Sequence, residues 1–204
     1  DLGIWDDCHV EPLARIARFC KEQGAVIAIQ IGHAGRKANG EHKGHRGEQS
    51  VAPSAIPFDE GWKAPHELSK TDISKLVGAF VAAARRAVAA GFQAIEVHGA
   101  HGYLISSFLS PLANKRADEY GGGIDHRAKF ACEVTEAVRT EIPGQMPILV
   151  RVSGTDWHEG GNTIDDMAIA ARLLGDAGAD AIHVSAGGNT PHSPATYPGY
   201  MVQM

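Results

Sequence analysis

The stretch AGFQAIEVH (residues 90–98) returns near the end of the chain as AGADAIHVS (residues 177–185), both following A-G-x-x-A-I-x-V. Glycine here ends a helix at its C-terminal cap, and the apolar run that follows has the length and β-branching of a buried strand. Two more runs share that character, AVIAIQI (residues 25–31) and PILVRVS (residues 147–153). Strands are therefore expected at residues 25–31, 93–98, 147–153 and 180–185.

Helical patterns separate them. EPLARIARFCKEQG (residues 11–24) gathers Leu13, Ile16, Ala17 and Cys20 on one face and stops at Gly24. A second helix starts at a Ser69 or Thr71 cap and runs to Gly91, and a third spans roughly residues 127–140. A fourth begins near Thr163, with Asp165 and Asp166 favourable in its first turn, and ends at Gly178. The order αβαβαβαβ implies parallel strands joined by right-handed crossovers.

Both a doubly wound sheet and a (β/α)8 TIM barrel fit that order. The strand ends decide between them. Gln30 and His33, His98 and His101, Arg151, and Ser185 stand at the C-terminal ends of successive strands. A barrel converges those ends on one face, whereas an open sheet uses only its switch point. No GxGxxG follows any strand, so a Rossmann dinucleotide site has no support. A complete barrel needs about 250 residues and eight strands. With four strands in 204 residues, the chain reads as the central portion of an α/β barrel. Its start at Asp1 without Met and its loop-like end PATYPGYMVQM agree with that expectation.

A net charge of -5 with scattered Lys and Arg argues against nucleic acid or an anionic membrane as partner. No apolar run reaches the roughly 20 residues of a membrane span, and no signal peptide is visible. Cys8, Cys20 and Cys132 form no CxxC pair, which is the usage of a reducing, cytoplasmic setting. Cys20 is expected in the core. His42, His45 and His66 fall in polar loops and are expected to be solvated.

Three clusters carry chemistry. HGAHGY places His98 and His101 three residues apart with Tyr103 beyond. The pair could hold a metal, sit idle in a loop, or aim two N–H donors at an oxygen that gains negative charge. In the last case Tyr103 is near enough to offer a proton. QIGHAGRK (residues 30–37) presents Gln30, whose amide suits the edge of a heterocycle. The alternative for this stretch is a glycine-permitted loop with solvated basic residues, which suits Lys37 as a solvated cation better than it suits Gln30. Arg151, inside the apolar run ILVRVSG, requires an anion: a structural ion pair with Glu96, or an anionic cofactor. Arg116 and Asp118 read as braces of the loop SPLANKRADEYGG (residues 110–122).

In this order and spacing, QIGHAGRKA, HGAHGYLISSFLSPLANKRADEYGG and ILVRVSGTDW closely resemble the Old Yellow Enzyme family. DLGIWDD at the start and APSA (residues 52–55) fit as well. The His-x-x-His form is similar to the thermophilic-like, xenobiotic-reductase branch. The resemblance implies an FMN-dependent ene-reductase on a (β/α)8 barrel, with NADPH or NADH as reductant. Its substrates would be small activated alkenes such as enones, enals or imides. It further implies that His98 and His101 hold the substrate carbonyl oxygen, and that Tyr103 protonates the α-carbon. Gln30 would meet the pyrimidine edge of the flavin, and Arg151 would stabilise the anionic reduced ring. The full-length protein is expected to form a homo-oligomer.

The sequence departs from the family at GGGIDHR, where Ile124, Asp125 and His126 replace a more usual Ser and Glu-Asn. Residues 1–204 are expected to lack the first two and last two barrel strands, including the FMN phosphate site. Two other readings stay open at this point: a metal-dependent barrel hydrolase using His98 and His101, and a non-catalytic piece of the reductase.

Overall fold

A computed structural model describes residues 2–38 and 50–191. His42, His45 and the segment PATYPGYMVQM lie outside the described residues. In chain order the elements are α1 (Val10–Glu22), β1 (Ala28–Ile31), β2 (Val51–Ala52), β3 (His66–Glu67), α2 (Lys70–Ala89), β4 (Ala94–Gly99), α3 (Leu104–Leu109), α4 (Ile124–Arg127), α5 (Lys129–Glu141), β5 (Ile148–Ser153), α6 (Ile164–Asp176) and β6 (Ala181–Ser185). Short 3₁₀ turns precede α1 and follow β1.

The four expected strands form one parallel sheet in the order β1-β4-β5-β6. The long strands thus neighbour one another in chain order with no reversal. That is the arrangement of a barrel wall, not of a doubly wound sheet with a switch point. β2 and β3 pair separately, and this small sheet was not foreseen from the sequence. His66 lies in β3, exposed, and not in a loop.

Capping chemistry sets the helix starts. Ser69 and Thr163 each accept from the backbone N–H three residues on, and Asp72 and Asp166 reach back to complete both capping boxes. At the other end, Gly91 and Gly178 hold positive φ values of 86° and 103°, the left-handed turn that leads into β4 and β6. The repeated A-G-x-x-A-I-x-V is therefore the same helix-to-strand corner used twice.

The core lies between the sheet and its helices. Ile95, Val97, Ile148, Val150 and Val152 point from β4 and β5 into it, meeting Phe80, Ala84, Ala87, Phe130, Val134 and Val138 from α2 and α5. The six residues of α3 are all buried. The expected apolar face of α1 is narrower than the sequence suggested: Leu13 and Ala17 are buried, but Ile16 is 41% exposed and Cys20 only partly covered. The reason is positional, since α1 flanks the β1 edge of the sheet and packs mainly on α2. No helix among the described residues is long and apolar enough to cross a membrane.

Candidate active site

Strand alternation sorts the side chains. With Ile95 and Val97 turned to the helices, Glu96 and His98 must face the other way. The same parity puts Gln30, Arg151, Ser153, His183 and Ser185 on that face. Register aligns them in rows: Gln30 beside Glu96, then His98 beside Arg151 beside His183, then Ser153 beside Ser185. One face of the sheet is thus polar and the other apolar.

His98 and His101 do come together, with ring centroids 5.2 Å apart at 68°. Tyr103 joins them, its ring 5.1 Å from His98. His101 is the most heavily fixed of the three. Its Nε2 lies 2.7 Å from Ser185 Oγ, and its backbone N–H donates to Ser153 Oγ at 3.0 Å. Its φ is +61°, an uncommon conformation for a residue with a Cβ. Lys37 holds that turn: Nζ donates to the carbonyls of His101 at 2.7 Å and Gly188 at 2.6 Å. The reading of Lys37 as a solvated cation is therefore corrected. Its ammonium also lies 4.1 Å from the Phe58 ring centroid and 5.5 Å from that of Tyr103.

Both histidines are held neutral. Burial pushes each pKa down to about 4, and the Arg151 guanidinium adds to the shift. Neutral imidazole offers one donor and one acceptor nitrogen. His33 lies in the loop after β1, where Nδ1 accepts from Gly35 N–H at 3.0 Å and its carbonyl accepts from Leu104 N–H at 2.9 Å. Burial lowers its pKa too.

The ion pair between Arg151 and Glu96 does not form. Glu96 instead accepts from Gln30 Nε2 at 2.5 Å and meets His183 Nδ1 at 2.7 Å. Arg151 Nε is buried with no hydrogen-bond partner, and so is His98 Nδ1 on the neighbouring strand. Buried polar groups left unpaired are costly. Two of them side by side on one face mark the place where a polar, hydrogen-bonding group fits.

Surrounding loops are tied by buried arginines. Arg36 donates to the carbonyls of Ile56, Pro57 and Asn189, and burial lowers its pKa to about 10. Arg116 pairs with Asp118 and donates to the carbonyls of Pro53 and Leu68, so this pair braces its loop as expected. His183 had no assigned role in the sequence, and the roles that Glu96 and Lys37 take here differ from those read there. Parity could have found His183, which shares its strand face with Ser185. Among the described residues no three His, Cys, Asp or Glu side chains are grouped closely enough to hold a metal ion.

The chain matches the NADH:flavin oxidoreductase / NADH oxidase family over residues 1–192. A NADPH dehydrogenase from Geobacillus sp. (strain WCH70) is 48% identical over 202 residues, covering 99% of this chain and 57% of the relative. The chain thus spans little more than half the length of that curated relative. Among solved structures, a 2-naphthoyl-CoA reductase complex superposes with a TM-score of 0.87 at 29% identity, over 95% of this chain and 31% of the other. An Old Yellow Enzyme homologue from Zymomonas mobilis gives 0.75 at 31% identity, over 89% and 54%. The four strands are therefore a part of a (β/α)8 barrel, as the strand ends implied. The chain belongs to the NADH:flavin oxidoreductase / NADH oxidase family.

Proposed function

We propose that residues 1–204 form the central part of a longer barrel. They lack its first two and last two strands. The whole protein is an FMN-dependent NAD(P)H oxidoreductase that reduces small activated alkenes such as enones, enals and imides. Bound FMN supplies the hydride relay between NAD(P)H and the β-carbon of the alkene.

The observation that carries this reading is the pair of orphaned buried atoms, His98 Nδ1 and Arg151 Nε, on adjacent strands of the polar face. A flat heterocycle rich in carbonyl oxygens and ring nitrogens would satisfy the guanidinium, and a substrate carbonyl beside it would give the imidazole a polar partner. Gln30 and Arg151 would hold its edge: Gln30 by its amide, Arg151 by a fixed positive charge beside the ring. His98 and His101 would bind the substrate carbonyl oxygen. Being neutral, each ring keeps one N–H that can donate to it, and these dipoles stabilise negative charge as it grows there. Tyr103, packed on the His98 ring, would pass its phenolic proton to the α-carbon.

The test uses the full-length protein. It should purify yellow, and a simple phenol should perturb the flavin absorption. His98→Ala and His101→Ala should each weaken that phenol by about tenfold or more, the worth of one good hydrogen bond. Unchanged affinity in both variants would remove the carbonyl clamp from the reading, and a colourless wild-type protein would remove the flavin.

A further inference from the structure

A chain of hydrogen bonds crosses the polar face from the first strand of the sheet to the last, running from the row below His98 and Arg151 up to their own row. Gln30 on β1 donates from Nε2 to Glu96 Oε1 on β4, and Glu96 Oε2 takes His183 Nδ1 on β6. The Glu96 side chain is 15% exposed and reaches across β5 to make the second contact. A carboxylate accepts hydrogen bonds and does not donate them. The group turned toward Oε1 must therefore be the nitrogen of Gln30, because the amide oxygen there would face another oxygen with no proton between them. By the same logic Nδ1 of His183 carries a proton.

We propose that Glu96 is a positioning residue that fixes which way round the Gln30 amide stands. It leaves Oε1 and the second N–H of Gln30 as an acceptor–donor pair for the occupant of the cleft. That pair is complementary to a cyclic imide edge, in which an N–H lies between two carbonyls, and not to an edge of acceptors alone. His183 holds the carboxylate from the far side, so Glu96 cannot swing away from Gln30. The inference rests on the flavin reading above and adds to it the selection of the imide N–H by a residue that does not touch the ring.

The experiment compares FMN with its N3-methyl analogue, which lacks the imide proton, in the full-length protein. Wild type should bind FMN about tenfold or more tightly than the analogue, the loss expected for one hydrogen bond. Glu96→Gln can donate as well as accept, so the Gln30 amide is no longer held one way round. The discrimination should then fall below about threefold. Gln30→Met should erase it similarly. A purely structural Glu96 would weaken both flavins equally and leave their ratio intact, which would overturn the proposal. Should discrimination survive in Gln30→Met, the assignment of Gln30 to the flavin edge fails as well; should wild type bind neither flavin, the functional reading itself fails. If Glu96→Gln does not fold, neutron diffraction of the wild-type holoprotein decides. A deuterated nitrogen of Gln30 facing Glu96 supports the proposal, and an oxygen there refutes it.

Discussion

His98 and Arg151 are register partners across the β4–β5 pair, a histidine and an arginine directly opposed on one face of a parallel sheet. The guanidinium adds to the effect of burial, and together they pull the His98 pKa down to about 4. His101 falls to the same value, for the same two reasons in the same order.

The first prediction concerns pH. Both folded-state values lie below the ordinary 6.5, so between pH 6.5 and 4 the unfolded chain binds protons that the folded chain refuses. Stability should decline as pH falls through that window and level off below it. Above pH 6.5 these two groups should contribute no slope. Imidazole resonances followed by NMR should stay in the neutral position down to about pH 5 for His98 and His101. A midpoint near 6.5 for either ring would refute the neutral-donor reading. Arg151→Met should move both midpoints upward, though not fully to 6.5, since burial remains.

Glycine substitutions should separate backbone crowding from propensity. Gly102 has φ +72°, and a Cβ there would lie 2.0 Å from the carbonyl oxygen of Gly188. Gly188 in turn would press a Cβ to within 2.5 Å of the His101 backbone. Gly102→Ala should cost at least about 2 kcal/mol in denaturant unfolding, from strained φ plus the clash. Gly78, inside α2 with nothing within 4 Å, offers the contrast. Gly78→Ala should stabilise by about 0.5–1 kcal/mol.

Lys37→Met removes the ammonium held by the carbonyls of His101 and Gly188. Each part-buried carbonyl that loses its donor costs about 1–3 kcal/mol, so the melting temperature should drop. Phenol affinity of the flavin-loaded protein should drop with it, because the +61° φ of His101 loses its external support. Phenol affinity equal to wild type would show that Ser153 and Ser185 suffice to hold His101.

Asp156 gathers three donors in a buried position, Ser110 Oγ at 2.6 Å, Asn162 N–H at 2.8 Å and Asn189 Nδ2 at 2.6 Å. Asp156→Asn places an NH₂ where one of them pointed. Chemical denaturation should register a loss of about 1.5–3 kcal/mol for that bond. A smaller loss would mean that the loops around β5 and β6 rearrange to restore it.

Much of the fold was legible in the residues because its signals are local. Glycine caps, capping boxes and β-branched runs act over three to eight neighbours, and they located four strands and the four longer helices. The short α3, the two-residue strands β2 and β3 and the exposure of Ile16 were not legible. Each depends on what packs beside it, and α1 in particular has the edge of the sheet as its neighbour. The site divides along the same line. His98, His101, Tyr103, Gln30 and Arg151 stood out by residue type at strand ends. Lys37 did not, since a lysine in a glycine loop gives no sign that two distant carbonyls will take its charge.

By itself, then, the sequence determined the order αβαβαβαβ, the polar strand ends that select a barrel over an open sheet, and the chemical character of the site. Those properties follow from covalent neighbours and side-chain periodicity. Only the tertiary structure decided who pairs with whom. Register placed Arg151 beside His98, while Glu96 turned to Gln30 and His183 and so left the guanidinium Nε unpaired. The physical reason is reach. A carboxylate bonds to the donors that strand stagger brings within about 3 Å, and no spacing along one chain specifies stagger between strands.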